Sequence, residues 1–155
     1  MGKKIAKSTS RYPLVVKLPP QATITTAAKM MAEHNVGAVM IMEGDSLLGI
    51  FTERDLVNRV AAKGHNLDKV HLSEVMTPNP IVLQIGDKVA QALQLMTSHQ
   101  IRHLPLVEND EIVGMLSVRD LLAEIIDDLR RDIDTKDALI FGEFYGMAAN
   151  KNAAA

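Results

Sequence analysis

Two short segments carry the side chains best suited to chemistry, Thr52-Glu53-Arg54-Asp55 and Ser117-Val118-Arg119-Asp120. In each, a hydroxyl precedes a carboxylate by three residues, and an arginine stands directly before the acid. If a helix begins there, hydroxyl and carboxylate project to one side, beside backbone N–H groups whose partial positive charge favours an anion. The carboxylate then accepts both hydroxyls of a ribose, Thr52 or Ser117 donates to a phosphate, and Arg54 or Arg119 neutralises it. The same spacing is that of a helix capping box, in which hydroxyl and acid serve only the helix's own first N–H groups. Taken singly, either segment is accounted for by that plainer reading.

The remaining polar residues offer less. His34 and His99 fall at helix C-termini, where a cation or a hydrogen-bond donor is welcome. His99 and His103 are separated by a helix end and a new strand, so they do not share a helical face. With His65 and His71 they make no metal site. No Ser-His-Asp order, acid pair or phosphate-loop glycine pattern occurs, so the chain reads as a non-enzyme.

Both segments lie at the same place in an internal repeat. Sliding the chain so that Pro13 falls on Pro78 also brings Leu18 onto Leu83, Ala27 onto Ala92, Met31 onto Met96, His34 onto His99, Gly49 onto Gly114 and Asp55 onto Asp120. Each copy opens on a short apolar stretch, 14–18 or 81–83. A helix follows, 24–34 or 89–99, with Asp87 a candidate N-cap for the second. Two strands come next, 38–42 and 47–51 or 104–107 and 112–116, each pair joined by a polar turn. A second helix opens near Glu53 and near Val118, giving β-α-β-β-α twice. Neither copy alone would bury much core, so the two are expected to pack sheet against sheet into one α+β module.

The boundaries follow: a first copy over 12–63, a polar linker over 64–72, a second copy over 73–126, and a C-terminal helix and tail over 127–147. Along that helix Leu121, Leu122, Ile125, Ile126, Leu129 and Ile133 lie at helical spacing between charged residues. The stripe must be covered, and Phe141, Phe144 and Tyr145 beyond it suggest a tail that docks on the module or on a second copy. Residues 148–155 are expected to be disordered. Met30, Met31, Met40, Met42, Met96 and Met115 fall on apolar faces as core filling.

Composition narrows the class. The 155 residues contain no cysteine, which excludes disulfides and thiolate metal sites and makes the cytoplasm the simplest compartment. Seventeen Lys and Arg stand against nineteen Asp and Glu, without the basic excess of a phosphate-backbone binder, so nucleic acid is a poor partner. No apolar stretch approaches the length of a membrane span. Gly2 lacks the hydroxyl residue that a myristoylation signal wants at position 6, where Ala6 stands.

The strings Gly49-Ile50-Phe51-Thr52-Glu53-Arg54-Asp55 and Gly114-Met115-Leu116-Ser117-Val118-Arg119-Asp120 resemble the Gly-x-x-Ser/Thr-x-x-Asp signature of cystathionine-β-synthase (CBS) domains. Val75-Met76-Thr77-Pro78 resembles the opening of such a domain, and Ile101-Arg102-His103-Leu104-Pro105 its entry to the second strand. The likeness covers 12–126. The first copy departs from it at Arg11-Tyr12-Pro13 and at Gly37-Ala38.

The resemblance implies a pseudo-two-fold pair with two clefts for AMP, ADP, ATP, NAD or S-adenosylmethionine as effector. A first site would combine Thr52, Arg54 and Asp55 with Thr77, Pro80, Ile81, Arg102, His103 and Pro105. A second would combine Ser117, Arg119 and Asp120 with Lys17, Leu18, Gly37 and Ala38. Arg102 and His103 replace Gly37 and Ala38 in the first, which makes it the tighter site for ATP or ADP. A homodimer and an unknown regulated protein are the implied partners. The rival reading is a nucleotide-free adaptor that dimerises and recruits a partner through its C-terminal tail.

Overall fold

The computed structural model describes residues 4–5 and 15–152, with side chains as far as Lys136. The chain divides into two compact units, one ending at Val118 and the other beginning at Arg119.

In the first unit β1 (Lys17–Leu18) runs parallel to β2 (Ala38–Glu43), with α1 (Ile24–His34) between them in sequence. Thr23 starts α1, its hydroxyl accepting from the Thr26 N–H, and Asn35 ends it in the left-handed conformation, φ 51°. His34 is the last residue of the helix, as expected, and Asn35 makes the turn out of it, its own N–H reaching the Met31 and Ala32 carbonyls. Ile24, Ala27 and Met31 recur every three or four residues and are buried with Val16, Val39, Ile41, Phe51, Leu72 and Val75.

β3 (Ser46–Thr52) returns antiparallel to β2 and leads into α2 (Glu53–Asp55), a π turn (Leu56–Val60) and a short 3₁₀ turn (Ala61–Lys63). The polar segment that follows is tied back to α1. Ile24 N–H donates to Val70 O, Thr25 N–H to Leu67 O, and the Thr25 hydroxyl to Asp68 Oδ1 at 2.6 Å. It ends in α3 (Leu72–Val75), a helical turn at the junction of the expected linker and the second copy, for which the sequence suggested no helix.

β4 (Thr77–Pro78) opens the second copy but joins the first sheet, pairing with β3 through Gly49↔Pro78 and Ile50↔Thr77. The second copy keeps its own three strands: β5 (Leu83–Gln84) parallel to β6 (His103–Glu108), and β7 (Glu111–Ser117) antiparallel to β6. The β6–β7 hairpin turns on Asn109 and Asp110, both at positive φ, as a two-residue turn matched to strand twist requires. Ala38, Met40 and Ile50 of one sheet pack with Met115 of the other, so the two sheets meet face to face as expected.

α4 (Val89–Ser98) corrects one expectation. Lys88 holds its N-cap position without a side-chain bond, while the Asp87 carboxylate accepts from the Gln84 N–H at 2.9 Å and closes a tight turn at Gly86. An Asp beside a glycine turn serves that turn first.

The second unit is α5, whose full span is Val118–Asn152. It carries helix through residues 148–152, where disorder was expected, because Ala and Lys there favour helix. Leu122, Ile126, Leu129 and Ile133 form an exposed stripe along it, whereas Leu121 and Glu124 are buried. Phe141, Phe144 and Tyr145 lie outside the described side chains. No helix among the described residues is long and apolar enough to cross a membrane.

Candidate functional site

The end of β3, the turn α2, β4 with the residues after it, and the entry to β6 surround a cleft of about 380 Å³. Thr52, Arg54, Asp55, Thr77, Pro80, Ile81, Arg102 and His103 all line it. Pro105 does not. It is buried two residues further along β6, opposite Met115. Ile50, Arg59, Asn79, His99, Gln100 and Ile101 also line the cleft and were not assigned to a site from the sequence.

Thr52 and Asp55 are a capping box in full. The Thr52 hydroxyl accepts from the Asp55 N–H at 3.2 Å, and Asp55 Oδ2 accepts from the Thr52 N–H at 3.0 Å and from the Thr52 hydroxyl at 2.8 Å. Capping and ligand contact are compatible, but capping restricts what remains. A carboxylate oxygen offers two lone pairs, so Oδ2 is fully used. Oδ1 holds Arg59 Nε at 3.2 Å and has one lone pair left. The carboxylate alone therefore accepts one further ribose hydroxyl, not the two that its chemistry in isolation allows. The second vacant acceptor of the box is the other lone pair of Thr52 Oγ1.

The arginines are braced by backbone. Arg54 Nη1 donates to Gln100 O at 2.9 Å, which ties α2 of the first copy to the loop before β6 of the second, and Arg59 Nη1 donates to Val75 O at 2.9 Å. A carbonyl leaves the arginine charge uncancelled, so Arg54 keeps a full positive charge at the rim. Exposed Arg102 adds a second, while Ile50, Pro80, Ile81 and Ile101 give the cleft an apolar wall.

The two copies are bonded alike around this point. The Glu53 N–H donates to Gly37 O at 3.1 Å, and at the equivalent place the Val118 N–H donates to Arg102 O at 2.9 Å. Gly37 keeps the approach open: a Cβ there would stand 3.2 Å from Glu53 Oε2 and 3.2 Å from the His103 ring, and those side chains would have to give way by a few tenths of an ångström. Of the residues assigned to the second site, Lys17 and Leu18 form β1, Gly37 and Ala38 lead into β2, and Ser117 closes β7 opposite His103. Arg119 and Asp120 stand in the first turn of α5.

The family model described as "CBS domain" matches residues 10–62 and 72–127, two copies that together span most of the chain. The chain belongs to the CBS-domain family. This CBS pair is 31% identical over 127 residues to the CBS domain-containing protein CBSX3, mitochondrial, of Arabidopsis thaliana, a match covering 79% of this chain and 62% of that one. Against another Arabidopsis relative, CBSCBSPB5, it spans 22% of the relative's length.

Among solved structures it resembles a putative signal-transduction protein with CBS domains from Burkholderia ambifaria, with TM-score 0.76, 27% identity and 81% and 96% of the two chains covered. It also resembles the CBS domain protein PAE2072 from Pyrobaculum aerophilum complexed with AMP, with TM-score 0.65, 30% identity and 77% and 97% covered.

Proposed function

We propose that this CBS pair is a regulatory module that binds an adenine nucleotide in the cleft between β3–α2 and β4–β6, and that it acts by conformational change and not by catalysis. The observation that carries the reading is the grouping of Thr52 and Asp55, which keep two vacant acceptors for a ribose, with Arg54 and Arg102 at one mouth. The AMP complex of the Pyrobaculum protein supports an adenosine ligand. The two arginines favour ADP or ATP over AMP, since each added phosphate finds an unneutralised cation. NAD and S-adenosylmethionine are the other ligands of the class.

Signalling follows from what the ligand would touch. Thr52 and Asp55 belong to the first copy, while Arg102 and His103 belong to the second, and Arg54 is already bonded to Gln100 across the cleft. A nucleotide held from both sides stabilises one arrangement of the copies, and it shifts the equilibrium by its difference in affinity for the two arrangements.

A thermal-shift series with AMP, ADP, ATP, NAD, NADH and S-adenosylmethionine tests the proposal on full-length protein stripped of nucleotide. A ligand at about 100 times its Kd adds about 2.7 kcal/mol, which raises the melting temperature by roughly 5–10 °C at this size. A shift with ATP or ADP is the expected result. The exposed stripe Leu122, Ile126, Leu129 and Ile133 favours a second reading, an adaptor that works through protein contact alone. No shift with any of the six would leave that reading in place.

A further inference from the structure

We propose that Arg59 is a positioning residue that makes the first cleft selective for an intact ribose diol. The inference rests on the nucleotide reading above and concerns how Asp55 is aimed.

A carboxylate's terminal torsion is soft, so a single anchor does not fix its plane. Asp55 has two anchors. Thr52 holds Oδ2 through its N–H and its hydroxyl, and Arg59 Nε holds Oδ1 at 3.2 Å. With both oxygens held, the one vacant lone pair of Oδ1 has a single direction, and Asp55 lines the cleft. Arg59 is in turn fixed by the bond from its Nη1 to Val75 O at the end of α3. The π turn Leu56–Val60 carries it, and such turns recur at functional sites. Only a guanidinium spans both partners at once, because Nε and Nη1 donate from one rigid plane.

The pairing does not exist in the second copy. Four residues after Asp120, at the place equivalent to Arg59, stands Glu124, which is buried. An acid on the same helical face cannot hold a carboxylate by attraction. The duplicated signature is thus the same in both copies, while an arginine four residues after its aspartate occurs in the first alone.

Affinities of the full-length protein for ATP and for 2′-deoxy-ATP, compared across wild type, Arg59→Met and Arg59→Lys, test this. One charge-assisted hydrogen bond to the 2′-hydroxyl gives wild type a preference for ATP of roughly tenfold or more. In Arg59→Met the preference falls to about twofold, because ATP weakens while 2′-deoxy-ATP holds its affinity. Arg59→Lys, which keeps the charge and lacks the fork, behaves like Arg59→Met and carries the test if the Met variant does not fold.

Equal weakening of both nucleotides would show a general structural or phosphate-binding role and overturn the inference, as would an unchanged ratio. Wild-type binding of ATP without any preference over 2′-deoxy-ATP overturns it too. Wild type that binds neither nucleotide overturns the nucleotide reading itself, and this inference with it.

Discussion

Asp55→Ala weakens ATP binding by roughly 10- to 100-fold, whereas Asp120→Ala leaves it within about twofold. The estimate comes from one charge-assisted hydrogen bond between Asp55 Oδ1 and a ribose hydroxyl, to which is added the loss of the group that orients the Thr52 hydroxyl. Asp120 carries the same signature, but Gly37 and Ala38 stand where the first site has Arg102 and His103, and Glu124 stands where it has Arg59. The supply of cationic side chains differs between the copies far more than the signature does.

Asp55→Ala also removes half of a capping box, which costs about 1 kcal/mol and lowers the melting temperature by roughly 2–4 °C. Calorimetric titration well below the transition reads affinity free of that loss. Equal ATP affinity in Asp55→Ala and wild type would remove the first cleft as the nucleotide site.

Gly49→Val lowers the melting temperature by about 6–12 °C through overpacking worth about 3 kcal/mol, and it weakens ATP binding in the fraction that stays folded. The glycine of the signature owes its place to a neighbour and not to an unusual backbone. A Cβ on it would stand 2.5 Å from Met76 Sδ and 2.9 Å from the Thr77 backbone oxygen. The sulfur end of Met76 is flexible and can move, but the backbone of β4 cannot without giving up its register with β3 at Gly49↔Pro78 and Ile50↔Thr77. Moving β4 moves Thr77 and Pro80, one wall of the cleft. Gly44→Asn is the control. Gly44 stands in open space at φ 58°, which Asn tolerates, so that variant melts within about 2 °C of wild type. Melting followed by circular dichroism separates the two, and equal melting of Gly49→Val and wild type would contradict the close approach of β3 and β4.

Much of this was legible in the sequence because the repeat shows every local signal twice. α1 follows from its three-to-four-residue apolar spacing, both hairpins from their polar turns, and the helix starts from Thr52 and Ser117. What was not legible depends on partners distant in sequence. The join of β4 to the first sheet is set by Gly49, a strand away, and α3 by bonds that the Leu72 and Ser73 N–H groups donate to the Ala22 and Pro20 carbonyls of the first copy. Asp87 went to a turn because a glycine stands beside it.

Arg59 left a signal that was there to be read, an arginine four residues after an acid on one helix face, and the matching Glu124 makes it sharper. Pro105 was carried along by its neighbours in Arg102-His103-Leu104-Pro105, and it is not among the residues that line the cleft.

The most direct test of the account is the location of a bound nucleotide. Amide resonances of the isotopically labelled full-length protein, followed while ATP is added, should shift at 50–55, at 77–81 and at 99–103, the three segments that enclose the cleft. Saturable shifts that are largest in those segments are the result the account predicts. Shifts confined to the shallow groove between Asp45 and Asp110, or none with ATP at millimolar concentration, would contradict it.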